Sequence, residues 1–108
     1  MATNTFKNAQ SASVTSATTI YTAPNGKDSI MLELDIANTT SSAVDVTVKV
    51  YDASASTNCH LIKETPVLSG ASMKVISGQK IVLEGNDYVQ VTASGAVDVQ
   101  ASILEDVN

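Results

Sequence analysis

The residues that could do chemistry are few. The chain has one cysteine, Cys59, and one histidine, His60, side by side. A thiolate activated by an imidazole is a strong nucleophile. In an extended chain, however, adjacent side chains leave the backbone on opposite faces. Cys59 to Val67 reads as a strand, with Cys59, Leu61 and Lys63 opposite His60, Ile62 and Glu64. The pair is therefore not placed to share a proton. The expected roles are a small buried thiol and a surface imidazole.

Metal chemistry meets similar limits. A structural zinc site takes about four Cys or His ligands, more than this chain holds. Calcium takes oxygen ligands. Asp28, Asp35, Asp45, Asp52, Asp87 and Asp98 are spread along the chain without EF-hand spacing. They are expected as solvated surface carboxylates, although loops can gather some of them. A paired-carboxylate glycosidase would want aromatic platforms, and aromatics are 4% of the chain. Ser77-Gly78-Gln79-Lys80 lacks the phosphate-loop pattern and the helix that follows it. No catalytic residue, metal ligand or cofactor is assigned, and the chain is read as a non-enzyme.

The elements around these residues are strands. In Ala43 to Ala53, Val44, Val46, Val48 and Val50 fall on one side, and Asp45, Thr47, Lys49 and Tyr51 on the other. A period of two is the mark of a half-buried strand. Valine suits it, because branching at Cβ fits the pleat. Such a strand needs partners for its backbone and a second layer over its valines. Val14 to Ala23 is threonine-rich and extended. Ser29 to Asn38 is expected to turn Ile30, Leu32, Leu34 and Ile36 inward, with Met31, Glu33, Asp35 and Ala37 outward. Ser72 to Ile76 and Lys80 to Glu84 are short strands. Tyr88 to Ala93 groups Val89, Val91 and Ala93. Ala96 to Leu104 turns Val97, Val99, Ala101 and Ile103 inward. Pro66 suggests that the strand from Cys59 ends at a sheet edge.

Turn signals such as Pro24-Asn25-Gly26, Ser69-Gly70, Gly85-Asn86-Asp87 and Ser94-Gly95 separate these runs. The predicted fold is all-β: one antiparallel β-sandwich, jelly-roll-like, of about eight short strands. A small closed barrel is the alternative. At 108 residues the chain is one domain. The sandwich is expected over residues 14–105, preceded by a polar arm over 1–13. That arm either frays or orders against a neighbouring subunit, with Phe6 as its anchor.

Charge narrows the partners. Six lysines and no arginine face eleven acidic residues, for a net charge of −5. Phosphate contacts need clustered Lys or Arg, which argues against nucleic acid and against anionic membrane surfaces. No run approaches the ~20 apolar residues of a membrane span. The N-terminus has no apolar signal-peptide core. Phe6, Met31, Tyr51 and Tyr88 remain on expected wet faces or outside strands. They are the candidate interface residues, with Tyr51 the best single choice.

The run from Tyr21 to Gly26 (YTAPNG), then Ile36 to Asn38, Val46 to Asp52 (VTVKVYD), Pro66 to Gly70, Gly78 to Asp87 and Val97 to Glu105, resembles small virion proteins of tailed bacteriophages. Proteins of marine cyanobacterial phages are among them. The resemblance covers roughly residues 20–105. It implies a β-sandwich that binds other virion proteins, foremost the major capsid protein as a decoration or cement protein. The implied copies are homo-oligomeric or lattice-bound, in virions assembled in the host cytoplasm. A neck, tail or fibre accessory, or a host-glycan binding module, is the alternative.

Overall fold

The computed structural model describes residues 3–107. Met1 and Ala2, where the expected arm begins, and Asn108 lie outside the described residues. The strands are β1 (Thr5–Val14), β2 (Thr18–Thr22), β3 (Ser29–Asn38), β4 (Val44–Asp52), β5 (Thr57–Val67), β6 (Ser72–Ile76), β7 (Ile81–Leu83), β8 (Tyr88–Ala93) and β9 (Val97–Glu105).

They form two antiparallel sheets. One runs β1-β9-β3-β6, with β7 also on β3; the other runs β2-β8-β4-β5. The chain crosses between the sheets at most connections, which is the jelly-roll arrangement of interleaved Greek keys. β6 and β7 are one interrupted strand. β6 pairs with Leu34 to Ala37 and β7 with Ser29 to Met31, so both lie along β3. The expected sandwich is present, with nine strands rather than eight. The additional one is β1: the polar segment set outside the sandwich pairs along β9 of the same chain, from Thr5↔Glu105 to Val14↔Val97.

The inward halves of the strands meet as a dry aliphatic layer. Val46 and Val48 on β4, Val89 and Val91 on β8, and Val97, Ala101 and Ile103 on β9 are all fully buried. Each such valine or isoleucine contributes roughly 1.5–3 kcal/mol by leaving water. Pro66 lies on β5, an edge strand, where its missing N–H costs no ladder bond.

The expected faces of β3 need correction. Met31 is fully buried, and so are Leu34 and Ile36. The inward set therefore changes from odd to even numbers along one strand. The cause is a bulge: β9 pairs Met31 with Ile103 and then Glu33 with the next residue back, Ser102. An extra residue on one strand reverses the alternation beyond it. Ser29 and Met31 point inward before the bulge. Ile30 and Leu32 are half-exposed, and neither packs against the core.

Buried polar groups pin the loops. The Asn38 amide donates to the carbonyls of Ser42 at 2.8 Å and Val67 at 2.9 Å. Its oxygen accepts from the Thr40 N–H and hydroxyl. Buried and saturated, Asn38 is not presented as a glycosylation acceptor, although its sequence fits the sequon. In the turn from Pro24 to Lys27, Gly26 has φ +74°, which a side chain would strain. Gly85 is required by contact: a Cβ there would meet the Gly26 backbone nitrogen at 2.7 Å.

Candidate interaction surface

The residues expected at an interface go to different places. Tyr51 and Tyr88 come together. They are direct cross-strand partners on β4 and β8, their rings stacked with centroids 4.8 Å apart. The pair lies on the outer face of the β2-β8-β4-β5 sheet, beside the Lys49–Gln90 and Thr47–Thr92 pairs. Met31 is in the core, through the β3 bulge. Phe6 is on the other sheet and 75% exposed.

Phe6 does not stand alone. It pairs with Leu104, Leu104 pairs with Ile30, and Ile30 pairs with Val82. These side chains share the outward side of β1, β9, β3 and β7, because their sequence neighbours Ile103, Met31 and Leu83 are buried. The result is an apolar row across the width of the sheet, with Leu32 beside it. Its ends are the most open: Val82 is 63% exposed. Single exposed apolar residues are ordinary, whereas a contiguous set marks a contact surface. Sequence reasoning found only Phe6. Alternation alone would turn Ile30 and Leu32 inward, and the row follows from register between strands far apart in sequence.

Farther along the same face the surface becomes polar and concave. Small side chains at Ala12, Ala37 and Ser72 leave a hollow of about 300 Å³, bordered by Gln10, Gln100, Asp35 and Asp98. The Gln10 amide donates to the Gln100 carbonyl oxygen across the strands. Lys74 approaches Asp35 at 3.7 Å. Asp98 accepts from the Ser13 N–H at 3.0 Å. With Glu33 exposed near the apolar row, the charge of this face is predominantly negative.

A second groove opens between the sheets at the β5–β7 edge. Val50, Cys59, Leu61, Ile81 and Val82 line it, with Asp52, Glu84 and Asp87 along one side. Cys59 is exposed here, not buried as expected, because the groove lies over the inward side of this edge strand. His60 pairs across the sheet with Lys49, on the opposite side of β5. Asp52, Glu84 and Asp87 offer oxygens within 4.8 Å of one another, the one carboxylate cluster among the described residues that could hold a cation. The loops do gather two of the scattered aspartates. Their oxygens already have work: Asp87 accepts from the Ala53 and Glu84 N–H groups. Asp52 accepts from Ser54 and Ala55, and the Ser54 hydroxyl foremost holds its carboxyl below the usual range. These bonds account for the cluster as loop ties.

Carboxylates also fasten the start of β1. Glu105 accepts from the Tyr21 hydroxyl at 2.6 Å and pairs with Lys7 at 3.0 Å. The Tyr21 hydroxyl also lies 3.0 Å from Ser29 Oγ, so the cluster ties β2 to β9 and β3 across the two sheets. Burial, then the bond to Glu105, pushes the Tyr21 phenol up to about 12. The Tyr21 bond, then that of Lys7, holds Glu105 below the usual carboxylate range. Asp106 accepts from the Thr3 N–H and hydroxyl and pairs with Lys27 at 3.5 Å. The Thr3 N–H foremost lowers its carboxyl.

No family model and no curated protein matches the sequence. Solved structures do match in fold. A chain of the T13 infectious bursal disease virus particle superposes with a TM-score of 0.51 at 10% identity, over 98% of this chain and 36% of that one. A pentameric capsid protein from metagenomic phage sequences gives 0.47 at 19% identity, over 91% of this chain and 61% of that one. A Bacillus endospore appendage protein of disulfide-linked pili gives 0.48 at 14% identity, over 96% and 87%. The chain thus spans about a third of the bursal disease virus chain and about three fifths of the phage capsid chain. At these identities the likeness is one of fold: a two-sheet antiparallel β-sandwich.

Proposed function

We propose that this chain is a non-enzymatic structural protein of a phage virion, a capsid decoration protein seated on the major capsid protein lattice. The observation that carries the reading is the apolar row Phe6–Leu104–Ile30–Val82, set on a predominantly acidic sheet face. Its occupant is a shell surface with an apolar strip rimmed by Lys or Arg. A second copy would bring Glu33 and Asp98 toward their own kind, and like charges brought together cost affinity. A basic rim would be attracted instead. The row by itself is small for a stable interface, for which roughly 800 Å² per partner is typical. Repetition on a lattice supplies the rest, since many weak contacts held together bind tightly. The sandwich shared with the bursal disease virus particle chain supports a place in a viral shell.

The polar rim of the hollow, Gln10, Gln100, Asp35 and Asp98, favours a second reading. Amides and carboxylates at such a rim suit sugar hydroxyls, as a tail or fibre module binding a host glycan would need. Copy number separates the two. Quantitative mass spectrometry of purified virions, against the major capsid protein, is expected to give a ratio near one or a simple lattice fraction of it. A dozen copies or so would move the chain to the neck, tail or fibres. Absence from the particle would end the virion reading.

A further inference from the structure

We infer that β1 is an exchangeable strand: residues 3–12 of one copy leave β9 and are replaced there by the same strand of a second copy, with Ser13 as the hinge.

The strand is long but contributes little to the core. Phe6, Lys7, Asn8, Gln10 and Ala12 are exposed. Before Val14, the apolar contact that β1 makes with the core is Ala9. Its attachment is the backbone ladder with β9 together with the polar bonds of Thr3, Lys7, Gln10 and Ser13. β9 is the opposite kind of strand. Val97, Val99, Ala101 and Ile103 are buried, so an uncovered β9 would be a long apolar edge. Such an edge recruits another strand. The sequence that fits it is already present in every copy. Exchange remakes each pair unchanged, from Lys7↔Ile103 through Ala9↔Ala101 to Ser11↔Val99. Swapping of this kind costs little, because both forms make the same contacts.

The hinge is where the ladder breaks. The register shifts between Ser11 and Val14, and Ser13 has φ 56°. A serine in the left-handed region is strained. Asp98 holds it there through the Ser13 N–H. Extending Ser13 releases that strain, and the exchanged form gains by it. Val14 is buried and stays as the anchor of the remaining chain. The short tether through Ser13 to the anchored Val14 keeps the closed form favoured in dilute solution, since a short tether gives an effective concentration on the order of millimolar. Exchange then appears when copies are crowded to that level. The inference concerns the chain itself and stands whichever particle the protein serves.

Single-cysteine proteins test it, each also carrying Cys59→Ser: one with Gln10→Cys, the other with Gln100→Cys. These positions are exposed or half-exposed cross-strand partners, so folding tolerates both changes. The two proteins are mixed at about 1 mM, oxidised, and weighed by non-reducing mass spectrometry. The expected result is a disulfide heterodimer about tenfold or more above either homodimer. Ser13→Gly, which relaxes the closed form, should lower that yield, and Ser13→Pro, which forbids a positive φ, should raise it. Heterodimer at only the statistical proportion overturns the inference. So does a heterodimer excess indifferent to both Ser13 substitutions, which would come from face-to-face packing without exchange.

Discussion

The two outer faces of this sandwich come from the same kind of sequence and have different characters. On the β2-β8-β4-β5 sheet the alternation runs without interruption along β4 and β8. Its outer side collects Tyr51, Tyr88, Lys49, Gln90 and the threonines, and its large aromatic groups are spent on each other. On the β1-β9-β3 sheet a bulge after Met31 inverts the alternation. Ile30 and Leu32 come outward, Met31 goes inward, and an apolar row that no other described residue covers crosses the face. One inserted residue thus sets Ile30 beside Leu104 and Val82 on the outer face. The lesson is that the interface candidate of a β-sandwich is set by register defects as much as by composition.

The bulge carries the largest expected effect. Met31→Ala should cost about 2–5 kcal/mol, the usual loss for emptying a buried methionine site. Leu32→Ala should cost under about 1 kcal/mol, as for a surface position. Denaturant unfolding of the two variants checks this. Reversed costs would mean that β3 alternates without a bulge and that the apolar row does not exist.

That contrast also shows what was legible from sequence. The faces of β4, β8 and β9 could be read because Val44 to Val50, Val89 to Ala93 and Val97 to Ile103 alternate without a break. The jelly-roll class followed from the spacing of their turns. β3 could not be read, since Ile30 to Ile36 is apolar at both parities before the bulge, and the choice is made by β9, about seventy residues away in sequence. β1 looked like an arm because its side chains are polar. Its partner is a backbone edge, which leaves no hydrophobic signature. The exposure of Cys59 is hidden from sequence for a related reason: alternation gives a side, and whether that side is covered depends on the neighbouring sheet. Of the interface candidates, the exposure of Phe6 and the outward side of Tyr51 are within reach of residue type and pattern, while the Tyr51–Tyr88 contact needs the β4–β8 register. Leu104, Ile30 and Val82 needed the register.

Acid should distinguish the faces next. Glu105 is held below its ordinary range by the bond from Tyr21 on β2 and then by Lys7, and Asp106 by Thr3; of these, the Lys7 and Thr3 bonds fasten β1. A depressed carboxylate stabilises the fold above its unfolded value, about 4, and that contribution is lost as pH falls through the lower folded value. Hydrogen exchange at pH 3 against pH 6 should therefore show loss of protection in the β1–β9 ladder, while the β4–β8 ladder keeps its own. Equal loss in both would separate these bonds from the attachment of β1.

Smaller effects follow on stability. Tyr51→Ser should cost roughly 1 kcal/mol, the value of a stacked aromatic pair beyond its burial. Phe6→Ser with Val82→Ser should change stability by under about 0.5 kcal/mol at each site, because both side chains are open to solvent. Thermal unfolding distinguishes these outcomes. A large loss from the Phe6 and Val82 pair would mean that the row supports the fold and is not free to bind.

The most direct measurement is incorporation into particles of two variants expressed in place of the native chain, counted against the major capsid protein by quantitative mass spectrometry. One carries Phe6→Ser and Val82→Ser, the other Tyr51→Ser and Tyr88→Ser. The first is expected to fold but be lost from purified virions, while the second is incorporated near the native level. Full incorporation of the first variant, with loss of the second, would contradict this and move the docking surface to the tyrosine face.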